Sequence, residues 1–418
     1  MNIWIFNHYA TAPNHVGGSR HFDLSKQLVK KGHSVTIFAS SFNHFSKQEM
    51  VFNHGNNRGY ECENIEGVDY VWIHTPPYKS SIARLKNIFS YTRRAYKVAK
   101  KIMRREKPDV IIGSSVHPFA AIIAYLISRK IPGCKFYFEE RDLWPQTFVD
   151  FGKISPKNPL TKILYKLEKF LYEKSDRVIV LFDKAQKYVE SKGVDSKKIL
   201  FIPNGVELER YKYLKKSKII DDYYSGLEGK FIVVYTGSHG IANHLDPVIE
   251  LFSKIRDESR IHLIMVGNGS EKERLMRMAS KKDLINVSFY DSIPKSDIPY
   301  LLSRADMSII SILDSPLYKW GFSMNKLYDY MAAGLPIIMV ANQSIVGELS
   351  KQDGVYVDTK LDNLAKVIIE YANSEDKSQS QNLKQYVEKT YSWDILSDRL
   401  ESVIINDTRD LILHEKDI

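Results

Sequence analysis

The chain has 418 residues, of which 44% are hydrophobic and 26% charged, too long for a single core and too apolar for disorder, so two globular domains are expected. Two cysteines, Cys62 and Cys134, exclude a disulfide framework and a cysteine metal site and fit a reducing compartment. The formal net charge of +10 favours an anionic partner but does not choose among nucleotide, membrane and nucleic acid.

In chain order, the apolar runs at 3–7, 34–40, 70–74, 110–113, 135–139, 177–182 and 199–202 predict strands. Helical spacing at 19–31, 81–105, 118–129 and 159–175 fills the gaps, and Asp183 reads as the N-cap of a short helix at 184–191. Pro203 and Asn204-Gly205 then break regular structure. After a polar stretch at 211–230 a second series follows, with strands at 231–235, 262–266, 287–290, 307–311, 337–340 and 354–357. Helices are expected at 245–256, 271–280 and 325–333. Beyond Tyr391-Ser392-Trp393 comes a last helical pattern carrying Leu396, Leu400, Val403 and Ile404. Such alternation predicts an α/β chain of two doubly wound, parallel-sheet (Rossmann-like) domains, 1–205 and 206–391, with helix 392–418 packing back on the first. The chain starts on a strand-like run, so no signal peptide is expected, and no apolar run reaches the ~18 residues of a membrane span.

Residues 79–107 hold nine Lys or Arg after Lys79 and before Lys107, against the single acid Glu106, interleaved with Ile82, Leu85, Ile88, Phe89, Tyr96, Val98 and Ile102. A basic amphipathic helix at 81–107 reads as an element for an anionic membrane surface. The plainer alternative is a solvated helix packed inward by its apolar stripe.

Ligands of parallel sheets bind at the carboxyl ends of strands. Three glycine-bearing loops fall there: Gly17-Gly18, Thr236-Gly237-Ser238-His239-Gly240 and Gly267-Asn268-Gly269. The second has the small residues of an anion nest. The third imitates a dinucleotide fingerprint, but Lys272 stands at the last glycine position, which argues against an NAD enzyme. In Gly321–Ile338 a loop enters a helix at Ser323-Met324-Asn325, with Lys326 in the first turn and Asp329 three residues on. Free amides and a positive dipole end suit a diphosphate, Lys326 adds a cation, and Asp329 can accept two ribose hydroxyls. An ordinary helix stopped by Gly334 is the alternative. In the first half His117 and the charged run Glu139-Glu140-Arg141-Asp142 follow strand ends; the run is either a site or an ion-pair cluster. No nucleophile elbow, Walker loop, zincin motif, Asp-x-Asp pair or DNA-binding signature occurs.

Taken together, the residues resemble the retaining, sugar-nucleotide-dependent glycosyltransferases of the GT-B fold, family four, over nearly the whole length. The resemblance rests on Gly17-Gly18, Ser175-Asp176-Arg177-Val178-Ile179-Val180, Ile202-Pro203-Asn204-Gly205-Val206-Glu207, Val234-Tyr235-Thr236-Gly237, Val266-Gly267-Asn268-Gly269, Arg304-Ala305-Asp306-Met307-Ser308 and Leu327–Ile338. It implies that Gly17 and Gly18 approach donor phosphates or acceptor, that His117 faces the transferred sugar, and that Ser238, His239 and Gly240 line the diphosphate site. Asp291, Ser292 and Ile293 would flank the base, and Asp329 would match the ribose-binding second Glu of the family's Glu-x7-Glu motif. Gly321 stands where the first Glu belongs, and Asn243-His244 where many members carry a diphosphate cation, which leaves Lys326 for that task. Glu-x-Arg-Asp-Leu-Trp-Pro and Ser-x-x-Lys-x-Tyr-Asp-Tyr-Met-Ala are similar to a subgroup acting on deoxyamino sugars, such as L-fucosamine transferases of bacterial surface polysaccharides.

The expected activity is transfer of an N-acetylhexosamine or deoxyamino sugar from a UDP-sugar to a lipid-linked glycan at the inner face of the plasma membrane. The expected catalytic residues are His117, Glu140, Arg141 and Lys326. The donor-binding residues are Gly17, Gly18, Ser238–Gly240, Gly267, Asn268, Asp291–Ile293, Ser323–Asn325 and Asp329. Neither a cofactor, a metal nor nucleic acid is called for. Closure of the domains about Asn204-Gly205 is expected to exclude water. Two rival readings stay open: a UDP-N-acetylhexosamine 2-epimerase of the same fold, and a non-catalytic sugar or nucleic-acid binding protein.

Overall fold

A computed structural model describes residues 1–15, 17–52, 59–115, 117–374 and 379–415. Val16 and Val116, inside two of the loops read from sequence, and 416–418 of the expected last helix lie outside the described residues. The chain divides into two compact units: Met1–Pro203 with the segment from Trp393 onward, and Asn204–Ser392.

The first unit is built on β1 (Asn2–Phe6), β2 (Ser34–Ser40), β3 (Tyr60–Ile65), β4 (Val68–Ile73), β5 (Val110–Ser115), β6 (Lys135–Glu140), β7 (Arg177–Val180) and β8 (Ile199–Phe201). They form one sheet in the order β3-β4-β2-β1-β5-β6-β7-β8. Helices cover the inner strands on both faces, so these strands are apolar throughout rather than alternating. The strand order reverses between β1 and β5, which pair in register Ile3↔Val110 to Phe6↔Gly113. Their carboxyl-end loops diverge there and open a crevice. Gly113 lets helix Pro118–Ser128 lie close on the sheet, since a Cβ would stand 2.6 Å from the Ala121 Cα.

Strand β3 was not expected from sequence. Its run Tyr-Glu-Cys-Glu-Asn-Ile carries too much charge to read as a buried strand. It pairs antiparallel with β4 across Glu66-Gly67, both at positive φ (51° and 87°), the tight turn that hairpin twist favours. Asp183 does not cap helix Ala185–Ser191. The Ala185 amide already bonds to the Phe182 carbonyl, so Asp183 lies inside the preceding turn and Lys184 takes the cap position.

Helix Ser81–Ile102 is shorter than the basic segment 81–107. Ile88, Tyr91, Ala95, Val98 and Ala99 face the core, while Ile82, Leu85 and Phe89 are 72%, 53% and 57% exposed. On a helix those three share one outward stripe with the exposed Arg93, Lys97 and Lys100. The apolar residues of this helix therefore divide between core and solvent.

The last helix, Trp393–Glu415, belongs to the first unit. Trp393, Leu396, Leu400 and Ile404 enter its core. His33 bonds to Glu401 at 2.8 Å, and Asp407 takes Tyr137 and Arg177 at 2.6 Å each. No helix of the described residues is long and apolar enough to cross a membrane.

The second unit has β9 (Phe231–Thr236), β10 (Ile261–Val266), β11 (Val287–Tyr290), β12 (Met307–Ser311), β13 (Ile337–Val340) and β14 (Val355–Asp358). All pair in parallel, in the order β11-β10-β9-β12-β13-β14. The reversal lies between β9 and β12, so the loop after β9 sits at the ligand-binding end of the switch point. Helix Asn325–Ala333 stops at Gly334, which takes the left-handed conformation (φ 73°), and a Cβ there would meet the Lys384 side chain at 2.5 Å.

Candidate active site

In the second unit, helix Asn325–Ala333 opens behind the loop that follows β9. The Lys326 amine donates to the Tyr235 hydroxyl at 2.8 Å and to Asn243 Oδ1 at 2.7 Å, and it lies 4.3 Å from the centre of the Tyr235 ring. An ammonium has three hydrogens, so one is left for an anion. Desolvation pulls the Lys326 pKa down to about 7, because no carboxylate stands by to stabilise the charge. Gly237 (φ 134°) brings the loop backbone against this side chain: a Cβ would lie 3.1 Å from Lys326 Cε.

The helix entry is fixed from below. Asn204 donates its backbone amide to Ser323 Oγ at 2.9 Å and its side-chain amide to the Ser323 carbonyl at 3.1 Å, and Ser323 and Tyr328 share a hydroxyl bond at 3.0 Å. Met324 holds the N-cap position without a side-chain cap; the Leu327 amide bonds to the Met324 carbonyl at 3.0 Å, and the amides of Asn325 and Lys326 face the entry. Asp329 accepts from the Tyr211 hydroxyl at 2.7 Å.

The loops after β9 and β10 pack backbone on backbone. The His239 amide bonds to the Asn268 carbonyl and the Glu271 amide to the His239 carbonyl, both at 2.9 Å. A Cβ on Gly267 (φ 151°) would stand 1.8 Å from the Gly237 oxygen, and one on Gly269 would stand 2.4 Å from the His239 carbonyl. Lys272 then reaches Asp291 at 2.6 Å, the Tyr290 carbonyl at 2.8 Å and Asn268 at 3.0 Å. Beside it, Tyr223 and Tyr290 stack at 3.8 Å and 13°.

The mouth of the first unit is different. His8, from the loop after β1, and His117, from the loop after β5, meet at 2.7 Å between Nδ1 and Nε2. His8 stacks on Tyr91 at 4.2 Å and on Tyr9 at 4.4 Å, and Tyr9 stacks on His44. Arg84 donates to the Tyr9 hydroxyl at 3.1 Å. Burial, and then the Arg84 charge, pull the His117 pKa down to about 3. Burial likewise takes His8 well below its usual value and His44 to about 4. At neutral pH the cluster is a set of neutral imidazoles.

One family profile, "Glycosyltransferase Family 4", matches residues 17–210, and another, "Glycosyl transferases group 1", matches residues 222–407. The chain belongs to the GT4 glycosyltransferase family. Its architecture is the GT-B fold. It is 24% identical over 295 residues, 69% of this chain and 71% of the relative, to WcaI of Escherichia coli K12, a protein named as a glycosyl transferase of colanic acid biosynthesis. Sucrose-phosphate synthase from Thermosynechococcus elongatus shares the fold with a TM-score of 0.71 at 15% identity, over 99% of both chains. Anabaena HepE, solved in complex with UDP-glucose, superposes with a TM-score of 0.66 at 14% identity, over 97% of this chain and 100% of that one.

Within this glycosyltransferase the residues anticipated from sequence fall into two kinds. Lys326, Ser323, Met324, Asn325, Asp329 and Ser238 gather around the open helix start or the loop beside it, with Ser238 and Asn325 exposed. Gly267, Asn268, Asp291 and Ser292 form the neighbouring corner, where Asn268 donates to Ser292 Oγ at 3.2 Å, while Ile293 packs on the core. His239 does not line an anion site. It is fully buried between Tyr235 and Phe289, and its amide is already spent on Asn268. The nest therefore comes down to Ser238 and Gly240. Gly267 is likewise committed to loop packing rather than to a ligand.

In the first unit, Gly17 (φ 137°) has no room for a Cβ against Phe45 and Thr11, at 2.7 and 2.8 Å, whereas Gly18 faces open space. The charged run divides between two interiors. Glu139 takes Arg20 at 2.9 Å and His21 and Ser114 at 2.6 Å each. Burial pushes its pKa up, but Arg20 and His21 outweigh that and hold it well below the carboxylate range. Glu140, anticipated as catalytic, is 2% exposed and bonded to the Tyr172 hydroxyl. Burial and the nearby Glu168 raise its pKa well above the usual value, and its Tyr172 partner lies on helix Pro159–Lys174, so it is a buried contact between strand and helix. Arg141 donates its backbone amide to Ser115 Oγ at 3.2 Å. Sequence reasoning missed His8, Tyr211, Tyr235 and Lys272 as site residues, although His8 and Tyr235 lie within two residues of a strand end, Tyr211 opens the polar stretch before β9 and Lys272 begins the helix after β10.

Proposed function

We propose that the protein transfers a sugar from a UDP-sugar with retention of anomeric configuration. One observation carries the reading: an ammonium with a spare hydrogen, lowered in pKa by desolvation alone, at the open start of helix Asn325–Ala333 and beneath the Gly237 turn. A pyrophosphate placed there would supply the missing countercharge and restore the amine to its charged form. In the reaction the bond from the sugar's anomeric carbon to the pyrophosphate oxygen breaks. The acceptor oxygen bonds to that carbon on the same face, and its proton passes to the departing diphosphate. Lys326 and the helix amides stabilise the charge that builds on the leaving group. In this reading they supply that charge without a metal.

The ribose is assigned to Asp329, supported by Tyr211, and the base to the corner at Asp291 and Ser292, where Tyr223 and Tyr290 offer stacked rings. The HepE complex with UDP-glucose supports a uridine nucleotide. The acceptor is proposed as a lipid-linked glycan of bacterial polysaccharide synthesis, in keeping with the colanic acid relative. Ile82, Leu85 and Phe89, exposed beside Arg93, Lys97 and Lys100, suit docking on the anionic inner face of the plasma membrane. The transferred sugar is proposed as an N-acetylhexosamine or deoxyamino sugar.

Calorimetric titration with UDP tests the donor half. Wild type should bind and Lys326→Ala should bind much more weakly at unchanged helical content. Equal affinity in the two proteins would remove the phosphate assignment.

A further inference from the structure

After the charged run at the end of β6 comes a surface that the sugar site does not use. Within residues 146–166, Phe148, Phe151, Leu160 and Ile163 are 41%, 39%, 62% and 60% exposed. Lys153, Lys157, Lys162 and Lys166 stand exposed among them, in no ion pair among the described residues. The one acid of the segment, Asp150, accepts from Gln146 at 2.7 Å. Single exposed apolar residues need no partner, but a group of them rimmed by cations marks a contact surface.

Its place in the fold matters. Helix Pro159–Lys174 leads into β7 at the amino edge of the sheet, so it starts at the carboxyl edge, with Leu160 and Ile163 in its first two turns. Tyr165 donates to Gln146 Oε1 at 2.7 Å and ties the short helix Gln146–Asp150, which carries Phe148, to the same end. Helix Ser81–Ile102 runs in the same direction between β4 and β5. Ile82, Leu85 and Phe89 occupy its first three turns, and its Arg84 reaches Tyr9 at the mouth. Helix Pro118–Ser128 lies between the two: Phe119 meets Phe89 at 5.4 Å, and Tyr125 meets Phe170 at 5.2 Å. The three helices are one layer on one face of the sheet. Both flanking helices expose apolar side chains at the end nearest His8 and His117.

We propose that residues 148–163 form a second membrane foot, which together with the start of helix Ser81–Ile102 seats the first unit on an anionic bilayer with its mouth at the lipid surface. The proposal rests on the lipid-linked acceptor of the reading above. Phe148, Phe151, Leu160 and Ile163 enter the boundary between headgroups and acyl chains, and the lysines reach the lipid phosphates. One stripe alone would leave the unit free to roll about helix Ser81–Ile102, whereas two feet on separate helices fix its tilt. The occupant is lipid rather than a second copy of the chain, because a symmetric contact through this face would set lysines against lysines.

Sedimentation of the full chain with phosphatidylcholine vesicles, with and without phosphatidylserine, tests the foot. Wild type should bind the mixed vesicles and bind pure phosphatidylcholine much more weakly. Leu160→Ser with Ile163→Ser should weaken binding to the mixed vesicles roughly tenfold or more, and Lys162→Glu with Lys166→Glu by a similar factor. These side chains are exposed, so urea midpoints should stay at the wild-type value. Vesicle binding that ignores the serine pair would overturn the proposal. An environment-sensitive fluorophore on Ile163→Cys or on Ile82→Cys, each in a Cys62→Ser, Cys134→Ser chain, should shift to the blue on mixed vesicles, while one on Ile285→Cys in the second unit should not. A shift at position 82 without one at 163 would leave a single stripe and overturn the second foot. Wild-type dimers in sedimentation velocity that the serine pair abolishes would give the face to a second copy and overturn it too. UDP titration needs no vesicles: lost vesicle binding with intact UDP binding overturns the docking alone, and the reverse result removes the donor reading alone.

Discussion

The two units share a topology and place their polar residues at the same point of it, yet the chemistry there is opposite. At the β1/β5 reversal the first unit closes its mouth with interlocked neutral rings: His8, His117, Tyr9, His44 and Tyr91. At the β9/β12 reversal the second unit leaves a helix start uncapped and holds one amine beside it, poised near neutrality. The first mouth presents neutral rings, the second a cation beside an open helix start. The fold supplies the crevice, and a few side chains choose the ligand.

The comparison can be broken most forcefully at Glu139. This carboxylate is buried with Arg20 and His21, so Glu139→Ala should cost the first unit about 3–5 kcal/mol. Urea unfolding followed by tryptophan fluorescence would read it, since of the five tryptophans only Trp320 lies outside that unit. UDP binding by the second unit should survive. A lost nucleotide site would mean that the two units are not independent.

Next in size, Lys326→Ala should lower turnover of a UDP-sugar roughly 10²–10³-fold, the usual effect of removing one preorganised charge-stabilising donor. A near-normal rate would place the leaving group elsewhere.

The sharper test is pH. The folded pKa of Lys326 is depressed below its unfolded value, so the cost of charging it is fully present below pH about 7. Stability of the second unit should therefore rise from about pH 7 toward the ordinary lysine range, where the unfolded chain also loses its proton. UDP binding needs the charged amine and should weaken over the same window, by up to about tenfold per pH unit. Proton uptake on UDP binding at pH 8, seen as a dependence of calorimetric heat on buffer ionisation, should vanish in Lys326→Ala. The first mouth should show no histidine titration from His44 or His117 between pH 5 and 8, since burial takes their pKa values down to about 4 and about 3.

The smallest effect concerns the outward stripe of helix Ser81–Ile102. Lys97→Glu with Lys100→Glu should weaken sedimentation with phosphatidylserine vesicles, each lysine contributing about 1 kcal/mol near an anionic surface. Binding that ignores both changes would remove the membrane role of this face.

How much of this was legible beforehand differs between the same two regions. Asn325, Lys326 and the Gly334 stop lie within ten residues of one another, so loop, helix start and cation could be read directly. His8 and His117 are 109 residues apart, and nothing local in either announces the other. Glu139 and Glu140 were read as one charged patch, but strand alternation sends neighbours to opposite faces, where Arg20 waits for one and Tyr172 for the other. The glycines after β10 were read as ligand contacts, and packing between two loops claimed Gly267 first.

By itself the sequence determined the alternation of strands and helices, the parallel core of both sheets, the break near Pro203 and the amine at a helix start, because each depends on periodicity or on neighbours in the chain. Only the tertiary structure decided that Tyr235 and Asn243 hold Lys326, that His239 and Glu140 are buried, and that His117 is paired with His8. Those outcomes turn on contacts between residues tens to hundreds of positions apart, where burial, charge pairing and the direction of each hydrogen bond are set by what the fold brings alongside.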